Sequence, residues 1–410
     1  MKNYHPLIFH NSLLLIAFSL PFSMFFNIQW NSIFIVILLL NWVIEGGFKE
    51  KMSKIRPQMD IFLLFITLYW VNSIGLLYTT EWNDAFHEIT TKLSLFIFPV
   101  VFLGNLHEIT AKHQKNIFLA FISAVFIACL FTFSQGFEFS SDTLSGILVI
   151  KKTSLLHRPY LAMYVILGVF MLLYLLLRSQ NSVEERILSL LAILFLAFFI
   201  TLKATTAFIA FLVAFTFVLL TWILHRNQLI AGLITFILVI NVLFFSYPFD
   251  NFLQQISRID YIDAHMDNPN IDKQANPRAK IWECAWGVIN ASSTTLWLGV
   301  GTGNAQKVLN QCYEEKKLAL AKDYNLNAHN EYLQMWLRQG IIGLVVFLLN
   351  LLVPLLIAIN QRNYLLIVFI TIIAVCSFSE TLLSRQAGTV FYAFFNALLY
   401  FYFLPEKDRT

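Results

Sequence analysis

Charge is what this sequence has least of. Only 13% of its 410 residues are Asp, Glu, Lys or Arg, where a soluble domain carries about 25%. Hydrophobic residues make up 58%, and the mean hydropathy is +0.68. A soluble globular chain is excluded. The alternation of apolar and polar residues that marks a membrane barrel is also missing. No nucleotide-binding signature is present, which argues against ATP as a partner. A small-residue cleavage site is absent after MKNYHPLIFHNSLLLIAFSL, so this stretch reads as a retained first helix and not a removed signal peptide. Cysteine is scarce too, with 4 in the chain. Cys129 and Cys376 fall in apolar runs and read as packing residues.

What the chain does have is a series of apolar runs near twenty residues, long enough to cross a hydrocarbon core of about 30 Å. The expected fold is all-α: a polytopic membrane protein with about 12 transmembrane helices and one long helical loop. Helices 1–9 fall within residues 1–246, the loop within 247–337, and helices 10–12 with a short tail within 338–410. The fourth span, near 92–105, is short; the ninth lies near 229–246 and the tenth near 338–358. Lys49, Lys51, Lys54, Arg56, Lys112, Lys115, Arg178, Arg186, Arg226 and Arg362 fall in one set of loops, with Lys2, Lys407 and Arg409 at the termini. The opposite short loops hold fewer cations: Lys92, Lys151, Lys152, Arg158, Lys203 and Arg385. The positive-inside bias therefore puts both termini in the cytoplasm and the long loop outside it. An oxidising compartment allows Cys284 and Cys312 to pair; the alternative is two separate thiols on different helices.

The loop concentrates the chemistry. Asn276-Pro277 is a helix-start signal ahead of RAKIWECAWGVIN. Trp282 and Trp286, four apart, would share a face against the bilayer interface. Arg278 falls in the first turn, a poor place for a lone cation. It becomes a good one if an anion binds there, and otherwise the side chain points to water. LGVGTGN, Leu298–Asn304, reads either as a turn whose N–H groups approach a phosphate or as a plain connection. Asp260, Asp263, His265, Asp267 and Asp272 form a solvated acidic loop, since the glycine and glutamate of a calcium loop are missing. In NAHNEYLQMWLRQGIIGL, Asn327 can cap a helix beginning at Ala328. That would set His329 in its first turn, where the dipole favours the neutral, proton-accepting imidazole. His329 is then either a general base or a polar residue at the interface. On the same helix Arg338 would follow about 13 Å down the axis and mark the membrane boundary. Lys203, at a tight external turn, is either functional or snorkelling. Arg158, Glu380 and Arg385 are external as well, so several cations converge on the face of the loop.

The segments RAKIWECAWGVIN, WLGVGTGN and HNEYLQMWLRQGIIGLVVFLL resemble the O-antigen ligase and polymerase superfamily. HRPYLAMY and SETLLSRQAG also resemble segments of some members. The resemblance implies a multi-pass glycosyltransferase of the GT-C type in the bacterial inner membrane, with its active site facing the periplasm. The implied donor is a glycan on undecaprenyl pyrophosphate. The implied acceptor is lipid A-core for a ligase or another glycan for a polymerase, with no metal, cofactor or nucleic acid. Residue by residue, it assigns the catalytic base to His329 and a pyrophosphate-holding arginine to Arg278. A second arginine in a Ser-Arg-Gly turn falls on Leu202-Lys203-Ala204, a departure that keeps the charge but loses the bidentate grip. Arg158, Arg338, Glu380 and Arg385 are carried as substrate-binding candidates. The runner-up readings are a transporter or flippase, expected to show repeats and broken helices, and a structural partner of a glycan-assembly complex.

Overall fold

The computed structural model describes residues 4–22, 29–105, 108–139, 148–150, 156–226 and 277–402. The expected ninth span, the acidic loop 260–272 and the capping residue Asn276 lie outside them. The described residues are almost wholly helical. The exception is one short antiparallel pair, Phe137–Phe139 with Leu148–Ile150, which the all-α expectation did not include.

In chain order the helices are α1 (His5–Ser19), α2 (Trp30–Glu45), α3 (Phe48–Ile55), α4 (Met59–Ile74), α5 (Trp82–Lys92), α6 (Ser94–Gly104), α7 (Ala111–Ser134), α8 (Arg158–Leu176), α9 (Ser182–Thr201) and α10 (Thr205–Arg226). After residue 276 come α11 (Pro277–Ile289), α12 (Ser293–Leu298), α13 (Ala305–Glu315), α14 (Ala319–Asp323), α15 (Glu331–Gln361), α16 (Tyr364–Cys376) and α17 (Gln386–Tyr402). By length and composition 7 candidate spans are long and apolar enough to cross a membrane, and α2 and α16 are shorter apolar helices. Among the described residues the expected count of about 12 is not reached. One reason is that α9 opens with Glu184, Glu185 and Arg186. Another is that α2, α16 and the 17-residue α17 are short; the fourth expected span is present and longer than expected, running from Trp82 to Gly104.

The chain forms two compact units. The first comprises Met1–Leu63, Ser94–Phe208 and Gln386–Thr410. Its core is α8, apolar on every side and buried along almost its whole length, as a helix surrounded by others must be. Phe121, Tyr164, Phe391 and Phe395 interlock across α7, α8 and α17. The Tyr164 hydroxyl satisfies the Ala387 carbonyl at 2.9 Å. Outward-facing Val36, Leu40 and Ile44 on α2 suit a lipid environment.

The second unit comprises Leu64–Leu93 and Ile209–Arg385. Helices α11 to α14 pack over the start of α15 around Ile281, Cys284, Leu309 and Tyr313, all fully buried. Cys284 and Cys312 form a disulfide joining α11 to α13. Cys129 and Cys376 are free and buried, as their apolar neighbours suggested.

Two crossings position the site in this unit. Gly340 has φ +66 and breaks α15 into two helical pieces. The break releases the carbonyls of Leu337 and Arg338, which accept from the N–H groups of Val300 and Gly301, both at 2.9 Å. The backbones meet there closely enough that a Cβ on Gly340 would lie 2.1 Å from the Trp297 carbonyl oxygen, and one on Gly299 2.4 Å from that of Arg338. Only glycine fits either position.

Candidate functional site: a carboxylate between an arginine and a histidine

The helix carrying the end of NAHNEYLQMWLRQGIIGL starts later than expected. Asn330, not Asn327, caps α15, its side chain accepting from the Leu333 N–H at 3.1 Å. Asn327 instead folds back to accept the His329 N–H at 3.1 Å. His329 thus precedes the helix and does not share a helical face with Leu333 and Trp336. Its φ of +43 lies in the left-handed region, a conformation costing a non-glycine residue about 1–3 kcal/mol. The surroundings hold it there. The Ala328 carbonyl accepts from the Trp282 indole at 2.9 Å, and the Ala328 N–H donates to Gln334 at 3.1 Å. Trp282 is therefore turned inward, while Trp286 is exposed and meets Trp336 edge to face. The two tryptophans do not share one role.

Arg278 is where the Pro-first helix signal puts it, in the first turn of α11, and it is buried. Its Nη2 lies 3.7 Å from Glu380 Oε1. The other oxygen of the same carboxylate, Oε2, lies 4.0 Å from His329 Nδ1. An arginine that the helix N-terminus disfavours is thus faced by an anion from the chain itself, as a buried charge requires. One carboxylate thus faces both the guanidinium and the imidazole. The segment bearing Glu380 is fastened to the His329 turn twice. The Glu331 N–H donates to the Ser377 carbonyl at 2.8 Å. Its side-chain Oε2 accepts from the Leu383 N–H at 2.9 Å.

A second charged cluster lies in the same unit. Arg338 grips Glu88 through both terminal nitrogens, Nη1 at 2.9 Å, and reaches Ser384 Oγ at 3.1 Å. Glu88 also pairs with the fully buried Lys92 one helical turn on. Reading the sequence placed Arg338 at a membrane boundary and Lys92 among loop cations, and it did not single out Glu88 or Glu331. The available signal was the Glu88–Lys92 spacing of four on one helix.

The glycine-rich turn is a structural connection and not an anion cradle. Every N–H from Gly299 to Gly303 already has an acceptor: the Thr295, Leu337, Arg338 and Gly75 carbonyls, and Thr79 Oγ1. Asn304 completes the connection, its side-chain oxygen accepting from the backbone of Thr80 and Glu81.

The remaining candidates stand elsewhere. Arg385 is exposed, just after the turn Leu382–Ser384. Lys203 and Arg158 belong to the first unit. Lys203, half-buried between α9 and α10, has φ +46. Arg158 opens α8. Among the described residues no three His, Cys, Asp or Glu side chains gather as a metal ion would need.

The apolar spans define the class, a multi-pass membrane protein, and its second unit holds a buried Arg–Glu–His arrangement set on one helix start and two connecting segments. Residues 189–348 match the O-antigen ligase family, so the chain carries a domain of the O-antigen ligase superfamily. The match covers less than half of the chain and includes Lys203, Arg278, His329 and Arg338. It supports a ligase- or polymerase-type membrane enzyme. No curated protein matches the chain.

Proposed function

We propose that this protein is a glycosyltransferase of the bacterial inner membrane. It moves a glycan from undecaprenyl pyrophosphate to a hydroxyl of a lipid A-core or similar acceptor at the periplasmic face. The observation that carries this reading is the shared carboxylate of Glu380, which faces Arg278 on one side and His329 on the other.

His329 takes the proton of the acceptor hydroxyl as that oxygen bonds to the anomeric carbon. The carbon–oxygen bond to the pyrophosphate breaks, and undecaprenyl pyrophosphate leaves with the electron pair. Arg278 steadies the charge that grows on the leaving group. Lys203 serves the diphosphate as a point charge. Glu380 orients the imidazole and stabilises it once protonated. One base with no second carboxylate acting as nucleophile implies direct displacement with inversion. Arg338, engaged by Glu88 and Ser384, is assigned to holding the turn before Arg385 in place.

The test is reconstitution of the purified full chain with a lipid pyrophosphate-linked oligosaccharide and lipid A-core, without nucleotide or added metal. Transfer is expected, with inverted configuration in the product. H329A is expected to lose activity about 10²–10⁴-fold, the usual contribution of a general base. Full transfer by an H329A protein that inserts normally would overturn the reading. A repeat-unit polymerase is the alternative within the superfamily, and a transporter or flippase is a weaker one. A strain lacking a ligase accumulates lipid-linked polymer, whereas one lacking a polymerase is left with single repeats.

A further inference from the structure

We infer that α12, through Trp297 and Leu298, is an interfacial anchor that rests in the headgroup layer of the bilayer at the level of the Gly340 break. The inference goes beyond the proposed activity and uses none of its residues.

Its first support is a change of surface along α15. Between Glu331 and Gln339 the helix is largely buried, and none of its large apolar side chains is exposed. Immediately past the break a stripe of exposed apolar residues begins: Ile342, Val345, Leu349, Leu352 and Leu356. Their spacing of three and four puts them on one face. A stripe of this kind faces lipid. The piece from Ile341 to Gln361 rises about 30 Å, the thickness of a hydrocarbon core. The break therefore marks the edge of the core.

The second support is what lies against that edge. Trp297 is 57% exposed and Leu298 45%, and their backbone touches Gly340 directly. Large apolar side chains left bare on a six-residue helix would be a liability in water. Beside a lipid-facing stripe they continue it. Tryptophan and tyrosine favour this layer because one end of each is apolar and the other polar.

The third support is the hydrogen bonding of α12. A helix in a water-poor layer must have its end carbonyls satisfied. The Leu296 carbonyl accepts from the Trp336 indole at 3.1 Å. The Leu298 carbonyl accepts from the Tyr78 hydroxyl at 2.7 Å. The Thr295 carbonyl accepts from the Gly299 N–H at 3.0 Å. At the other end, Ser292 and Thr295 form a capping box. Tyr78 itself ends the apolar stretch Phe48–Tyr78, so the end of one candidate span and the break within another meet the same short helix. The continuity with the stripe on α15 identifies the occupant of this surface as lipid rather than a protein partner. Nine residues of helix above the break then hold the start of α15 about 13 Å outside the core.

The test places nitroxide labels at Trp297→Cys and, separately, Leu298→Cys in the full chain. Cys129 and Cys376 are replaced by Ala, and the Cys284–Cys312 bridge is kept. The protein is reconstituted in vesicles of phosphatidylethanolamine and phosphatidylglycerol. Val345→Cys serves as the lipid reference and Lys307→Cys, exposed on α13, as the aqueous one. Both anchor labels are expected to collide more with oxygen than with a water-soluble nickel chelate, at a depth between the two references. Labels that behave like Lys307→Cys would overturn the inference. Labels shielded from both reagents would overturn it too, since protein and not lipid would then cover the surface. Glycosyl transfer is not read, so a negative result leaves the proposed reaction untouched.

Discussion

At the scale of single residues, the decisive feature is the carboxylate of Glu380, 4.0 Å from the His329 imidazole. A carboxylate at that distance orients the ring and, in the proposed reaction, steadies the charge it gains. E380Q is therefore expected to keep some transfer activity with a lowered kcat and little change in the KM for the lipid donor. Steady-state kinetics check this; a wild-type kcat would mean that Glu380 does not act on His329. Lys203 makes a different claim. If it serves the diphosphate as a point charge, K203R keeps most activity and K203A raises the KM for the lipid donor. The sequence showed Arg278, His329 and Glu380 as residues of interest but not their arrangement. The sequence reading capped the helix at Asn327; the packed fold assigns the cap to Asn330 and the turn to Asn327. Glu88 and Glu331 were illegible for a related reason. Their partners Arg338 and Leu383 are far along the chain, and the one local signal, the Glu88–Lys92 spacing, announces neither.

At the scale of elements, the broken helix α15 and the loop that fills its break form one unit. Ile341-Ile342-Gly343-Leu344 and the run after it read as uninterrupted apolar helix, and a glycine within such a run is ordinary. The break at Gly340 becomes stable because Val300 and Gly301 supply the N–H groups that the helix gives up. A single-sequence reading has no access to that exchange. Gly340→Ala would strain φ and press a methyl into the Trp297 carbonyl, a loss of about 1–3 kcal/mol or more. A lowered melting temperature in detergent, with the wild-type helix content retained in the cold, is the expected result. Glu88→Gln tests the neighbouring clamp. It leaves the buried guanidinium of Arg338 without its bidentate partner, and breaking a buried pair in this way costs about 3–5 kcal/mol. The same melting assay reads it. By contrast, the start of α11 at Pro277 was legible, because proline at a first helical position is a local rule.

At the scale of the whole molecule, hydropathy alone made the membrane class legible, since spanning a bilayer is a demand on composition. The number of spans was not, because short and charged helices such as α2 and α9 blur length-based counting. Two arguments support the proposed orientation: the distribution of Lys and Arg among loops, and the disulfide joining α11 to α13. The bridge closes a loop of 28 residues, which in a chain-entropy account contributes about 3–4 kcal/mol, and it forms only where the compartment is oxidising. Under the proposed orientation α13 lies outside the cytoplasm, as the disulfide requires, and the Lys/Arg bias puts the α2–α3 connection inside it. On the Cys129→Ala, Cys376→Ala background, Glu315→Cys and Lys49→Cys replace exposed residues on either side. A membrane-impermeant maleimide applied to cells with a permeabilised outer membrane is expected to label Glu315→Cys at once. Lys49→Cys should stay unlabelled until the inner membrane is opened. Without reductant the native bridge should take no label, and after reduction it should take two. The reverse labelling order would turn the protein over in the membrane, and it would leave the Arg278–Glu380–His329 cluster on the wrong side for a donor that has already been flipped outward.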